Sequence, residues 1–139
     1  MKIITEEIIR ETNGNCDIVN ITGDISEIIS KSKLSKGSCL VFSIGSTASV
    51  TTLEFEPGLL KDIPKVLEKL IPQYQKYHHN DTWGDNNGHA HIRSSIFGTS
   101  FTLPFFNGEP VLGTWQQVVL IDFDDRKRTR RVIVQLTGV

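Results

Sequence analysis

Residues 100–139, SFTLPFFNGEPVLGTWQQVVLIDFDDRKRTRRVIVQLTGV, decide the fold. Ser100–Phe105, Leu112–Phe123 and Arg128–Thr137 concentrate β-branched and aromatic residues, as strands do. Asn107-Gly108 and Asp124-Asp125-Arg126 stand between them as turns. Strands joined by tight turns are expected to pair antiparallel. Just upstream, a short helix is expected from Ala90 to Phe97. Further back, Leu59, Leu60, Ile63, Val66, Leu67 and Leu70 recur at three- and four-residue spacing, one buried helical stripe. Pro64 reads as a first-turn proline, with the regular helix starting near Asp62 and stopped by Pro72. Ser38–Ile44 and Thr47–Phe55 read as strands. Asp24 or Ser26 caps a helix carrying Ile25, Ile28, Ile29 and Leu34 on one face, which Gly37 ends. Residues 2–11 and Cys16–Ile21 form a hairpin about Asn13-Gly14. The expectation is a single α+β domain over residues 1–139, a largely antiparallel β-sheet or sandwich with two or three helices.

A chain of 139 residues suits one domain. With 15 Lys+Arg against 16 Asp+Glu, it has no net field for coating nucleic acid or an anionic membrane. The basic run Arg126, Lys127, Arg128, Arg130, Arg131 follows Asp122, Asp124 and Asp125, which cancel much of its field. It also lacks aromatic interleaving, so a charged hairpin guarding a sheet edge, or an anion-binding rim, is favoured over a nucleic-acid surface. No apolar stretch approaches the ~18 residues of a membrane span. Residues 1–10 lack the apolar middle of a secretory signal, and Cys16 and Cys39 make neither a disulfide framework nor a zinc motif. A cytoplasmic protein with reduced, packed thiols is expected.

The chemistry gathers in and after residues 73–88, QYQKYHHNDTWGDNNG, which carry no apolar period and read as a loop. His78, His79, His89 and His91 all fall within fourteen residues there. His89 and His91 lie two apart: on an extended chain both rings face one side and could share an ion, whereas on a helix they diverge by about 200°. With His79 folded back, His79, His89 and His91 would make a three-histidine metal site with an open position. The alternative is a set of surface histidines near a helix start. Asp85 is the carboxylate placed to orient a histidine or act as general base, while Asp81, Asn86 and Asn87 shape the loop. Ser46 and Thr47 follow an apolar strand at Gly45, a corner where free N–H groups and hydroxyls can hold an anion, or simply a turn into a threonine-rich strand. Arg93 and Ser94 could complete an anion pocket with an arginine fork. Trp115 is expected in the core or at a subunit interface, and Gln116 on the opposite face, toward the polar site.

The run AHIRSSIFGTSFTLPFFNGEPVLGTWQ, Ala90 to Gln116, resembles the signature of the YjbQ-like proteins, the secondary thiamine-phosphate synthase family. The similarity reaches back through Tyr77, His79 and Asp85 and through Thr47-Ala48-Ser49 to Glu54, and forward to the final arginine-rich strand. The resemblance implies an α+β domain assembled as a homotrimer. It implies a transferase joining a hydroxymethylpyrimidine diphosphate to a thiazole phosphate with release of pyrophosphate. His79, His91, Glu54 and Asp85 would then be catalytic, and Ser46, Thr47, Arg93, Ser94 and Gln116 would hold phosphate. His79, His89 and His91 would bind a divalent metal, zinc first. The chain departs from the pattern at Gly45, where many members carry a histidine, a role that would move to His89. The alternative is a non-catalytic trimer binding a metal or a small phosphorylated metabolite.

Overall fold

The computed structural model describes all 139 residues. The elements are β1 (Lys2–Thr12), β2 (Asp17–Asn20), α1 (Thr22–Ser32), β3 (Lys36–Ile44), β4 (Ala48–Glu54), α2 (Pro57–Leu70), α3 (His78–Trp83), α4 (Gly88–Phe97), β5 (Ser100–Phe106), β6 (Glu109–Pro110), β7 (Gln116–Asp122) and β8 (Arg128–Gly138). This is an α+β domain of two antiparallel sheets, one ordered β1-β8-β3-β5-β6 and the other β2-β7-β4. It holds four helices rather than two or three, because the polar stretch read as loop contains α3.

Alternation along the strands builds the layers. In β8, Val132, Val134 and Leu136 are fully buried and meet Cys39 and Val41 of β3, Ile8 of β1, and Val118 and Leu120 of β7 across the sandwich. Successive residues of a strand face opposite sides, so the other face of β7, Val119 and Ile121, joins Phe123, Cys16, Ala90 and Leu67 in a second core under α2 and α4. Residues 118–123, at the end of β7, are therefore apolar almost without break, the mark of a strand covered on both faces. The three-stranded sheet lies between the α2–α4 layer and the five-stranded sheet. Helix α1 sends Ile25 and Ile29 into the first core and touches both β1 and β6, the edges of the larger sheet.

Three expected pairings do not form, the first being that of β5 with β7: Asn107-Gly108 turns β5 only onto the short β6, and β7 joins the other sheet. β1 pairs with β8 and β2 with β7, so the Asn13–Cys16 corner carries the chain between sheets. Asn15 and Cys16 both take positive φ there, and the Asn15 amide donates to the Asp124 carbonyl at 2.6 Å. Likewise β7 and β8, joined by a short turn, belong to different sheets. Each strand has an inward face that an edge-to-edge hairpin would have left half exposed, so burial outweighs turn length. Helix bounds shift too. α1 begins after Ile21 and ends at Lys33 in the left-handed region, with Gly37 already inside β3. α2 begins at Pro57, where the Glu56 side chain accepts from the amides of Gly58 and Leu59, which leaves Pro64 in the helix interior. Leu112 to Trp115 precede β7 as irregular chain.

Candidate functional site

One end of the sandwich interior is ionic. Asp122 and Asp124 have no exposed surface, and Arg130 is 7% exposed. Arg130 grips Asp122 side-on, Nε to Oδ2 at 2.6 Å and Nη2 to Oδ1 at 2.7 Å, while Nη2 also donates to Thr47 Oγ1 at 2.6 Å. Asp124 accepts from Thr47 Oγ1 and Arg128 Nε, both at 2.9 Å, and Thr12 donates to Asp122. Buried charges survive only when paired and fully hydrogen-bonded. Here the pairing ties the end of β1, the start of β4 and the start of β8 together. Burial alone would raise the Asp124 pKa, but the Asp125 amide, Arg128 and Thr47 hold it well below the ordinary carboxylate range. Asp125 is shifted upward by burial and by its neighbour Asp124.

Asn87, just before α4, links this network to the histidines. Its Nδ2 lies 3.4 Å from Asp124 Oδ1 and its Oδ1 lies 3.0 Å from His79 Nε2. Turned over, the same amide would donate to the Asp85 carboxylate at 3.2 and 3.3 Å. The His79 and His91 rings stand 4.2 Å apart, centroid to centroid, and His79 Nε2 is 3.6 Å from Asp85 Oδ2. Burial and the facing His79 lower the His91 pKa; Asp124, Asp85 and a hydrogen bond to the Ser46 backbone oppose that shift. The imidazoles of α3 and α4 and the exposed Gly45-Ser46 corner between β3 and β4 thus share one surface. Beside it opens a cleft of about 590 Å³ lined by Tyr74, Lys76, Asn80, Asn86 and Asp125.

The other expected site residues lie elsewhere, each for a local reason. α4 begins at Gly88, so His89 and His91 sit on a helix and diverge. His89 is 1% exposed and looks inward. Burial and the neighbouring Arg93 lower its pKa, opposed in part by Glu68, Asp124 and the Asn86 backbone, and its Nδ1 has no partner. The set His79, His89 and His91 therefore does not fit a single zinc or other divalent ion. No group of three or more His, Cys, Asp or Glu side chains in the chain is arranged to hold one. Arg93 is no open anion fork: it is buried, donating to the Ile71 carbonyl at 3.1 and 2.7 Å and to Glu68 at 3.0 Å, so it fastens the end of α2. Ser94 Oγ donates to the Ala48 carbonyl at 2.6 Å and docks α4 on β4. Thr47 is spent within the ionic network.

Glu54 and Gln116 face each other at the far end of the β4–β7 ladder, whereas Ala48 and Asp122 face each other at the histidine end. At ~3.3 Å per residue the two ends are about 20 Å apart, so neither Glu54 nor Gln116 reaches the imidazoles. Gln116 instead bonds Thr52 Oγ1 and the Gly113 amide. Trp115 is 72% exposed and outside the core. Both cysteines are buried, which pushes the Cys16 thiol up to about 11 and the Cys39 thiol to about 12, so neither is a nucleophile at neutral pH. The residues that sequence reasoning missed are Asp122, Asp124 and Arg130, taken for part of an exposed charged hairpin. Their signal was phase: Arg130 falls on the same alternate positions as Val132, Val134 and Leu136, the inward face of β8.

No helix is long and apolar enough to cross a membrane. The family model for UPF0047 protein YjbQ-like matches residues 6–139. A UPF0047 protein of Methanothermobacter thermautotrophicus is 35% identical over 138 residues, covering 99% of this chain and 94% of the relative. Another, of Archaeoglobus fulgidus, is 34% identical over 129 residues, covering 93% and 98%. A Sulfolobus solfataricus crystal structure described as a YbjQ-like protein of unknown function superposes with a TM-score of 0.94 at 30% identity, covering 99% of both chains. A hypothetical protein from Aeropyrum pernix superposes at 0.91 with 29% identity, covering 98% and 99%. These findings overturn the expected thiamine-phosphate synthase activity: the relatives are UPF0047 proteins and the related structure is of unknown function. Glu54 and Gln116 also stand apart from the imidazoles, and Arg93, Ser94 and Thr47 are spent on internal bonds. What the resemblance carries is a lineage and an architecture, and the chain belongs to the YjbQ-like family of UPF0047 proteins.

Proposed function

We propose that this chain is a binding protein, not a group-transfer catalyst, and that its ligand is a small anionic metabolite, a phosphate ester in the first instance, received at the His79–His91 surface. The observation that carries this is the pairing of two partly exposed imidazoles at 4.2 Å beside an exposed serine corner. An anion can accept from the ring N–H groups of two adjacent imidazoles, and a cleft of about 590 Å³, of the size that small ligands occupy, opens alongside at Asn80 and Asn86. Of the two carboxylates expected to move protons, Asp85 stands beside His79 but Glu54 is at the other end of β4, so the expected acid–base set is not assembled there. A homotrimer in the cytoplasm suits the uncovered outer face of the five-stranded sheet, where Phe42, Ile44 and Ile9 are exposed although no helix or strand lies over them.

The test is calorimetric titration with inorganic phosphate, pyrophosphate and a simple phosphate monoester, at pH 6 and pH 8. Saturable binding, tighter at pH 6 and weakened at least about tenfold by the double substitution His79→Ala, His91→Ala, is expected, since charge-assisted hydrogen bonds contribute ~1.5–3 kcal/mol each. A zinc titration runs alongside, and sedimentation gives the assembly mass. Phosphate compounds that bind no better than chloride, or equally well to the double variant, would overturn the assignment.

A further inference from the structure

The buried arginine of the ionic network leaves one nitrogen unspent. Arg130 Nε and Nη2 are engaged by Asp122 and Thr47, and Nη1 makes no hydrogen bond within the chain. The buried side-chain nitrogens and oxygens without partners are Ser43 Oγ and His89 Nδ1 alone, so Arg130 Nη1 opens toward solvent. Its window is Gly45. A Cβ built on Gly45 would stand 3.1 Å from Nη1, and the backbone there has φ +126°, a conformation that disfavours any side chain. The amides of Gly45 and Ser46 donate to no atom of the chain, and the exposed Ser46 hydroxyl is equally free. Ser43, two residues earlier on the inward face of β3, has a buried, partnerless hydroxyl. The Ser46 backbone also lies close enough to the His91 ring to oppose the lowering of its pKa.

Unpaired amides, hydroxyls and an arginine nitrogen at one corner are the groups that hold tetrahedral oxyanions. We propose that the Gly45–Ser46 corner with Arg130 Nη1 is the subsite for the ligand's phosphoryl group, a site built around a guanidinium already locked in place. Asp122 and Asp124 offset the charges of Arg128 and Arg130 behind it, so the corner supplies oriented donors, not a net positive field. The locked fork loses little freedom on binding, which favours a directional grip on the phosphate oxygens. The subsite rests on the anion-binding function proposed above and adds to it the residues that read the phosphoryl group.

The experiment follows backbone amide shifts of the unsubstituted protein during titration with inorganic phosphate and then pyrophosphate. The Gly45 and Ser46 amides should move and saturate together. Arg130→Lys, which keeps the charge but loses the fork, and Gly45→Ala, which fills the window, should each weaken phosphate binding about tenfold or more, the scale of one charge-assisted hydrogen bond. If phosphate binds while both amides stay still, the subsite is wrong and the anion-binding function survives through the imidazoles. If neither phosphate nor pyrophosphate binds at all, both fail. A Gly45→Ala protein that does not fold leaves the amide titration to decide.

Discussion

Replacing Asp122 by asparagine removes one charge from a place without solvent. Asp122 accepts two bonds from Arg130, at 2.6 and 2.7 Å, one from Thr12, and one from the Asp124 amide at 3.0 Å. The carboxamide introduced by Asp122→Asn would keep the volume but put a donor against donors and leave the guanidinium only the Asp124 carboxylate, 3.7 Å from Nη2 and already shared with Arg128. Breaking a buried pair from one side costs about 3–5 kcal/mol. Unfolding entropy near 2.1 cal/mol/K per residue gives about 0.3 kcal/mol/K for this chain, so Tm should fall by about 10–17 °C. The assay is scanning calorimetry at one fixed protein concentration, on Asp122→Asn, Arg130→Met and the double variant. The double variant should be more stable than the sum of the single losses predicts, because it leaves no unpaired charge. A single-variant loss below about 1 kcal/mol, or strict additivity, would refute the idea that this pair is a dry structural tie.

Acid should loosen the protein before the carboxylates titrate. The folded pKa values of His89 and His91 lie below the ordinary histidine value, so the unfolded chain takes up protons first: stability is full above pH ~6.5 and is lost as pH falls through the folded values. The depressed Asp124 acts lower, its contribution present above pH ~4 and lost below it. Urea midpoints between pH 8 and pH 5 should therefore fall, and His89→Gln should flatten the slope, with His91 supplying what remains; an unchanged slope would acquit His89. Arg93→Met should cost about 2–4 kcal/mol, since it frees the Ile71 carbonyl and Glu68 and strands the end of α2. Limited proteolysis should then cut within residues 72–77, and a protease pattern identical to the parent would contradict the fastening role.

Much of the architecture was legible from pattern. The stripe from Leu59 to Leu70 became α2, and the strand runs 38–44, 100–105 and 128–137 became β3, β5 and β8 within two residues at each end. These are the segments in which hydrophobic period and local propensity agree. Pairing was less legible. Asn13-Gly14 and Asp124-Asp125 look like hairpin turns, yet each joins strands of different sheets, because a turn fixes chain direction while inward burial chooses the neighbour. Of the candidate site, His79, His91 and Asp85 do gather, and Ser46 stands beside them. Arg93, Ser94, Thr47 and His89 were lost to the interior, where their polar groups serve packing.

By itself the sequence determined the kinds of element present and the segment in which imidazoles would meet, since both follow from interactions among residues a few positions apart. Only the tertiary structure decided which charges are buried, which strands neighbour one another, and that Arg130 reaches the surface through Gly45. Those outcomes depend on contacts between residues far apart in the chain, whose free energy comes from excluding water and satisfying polar groups at once, and no local pattern records that.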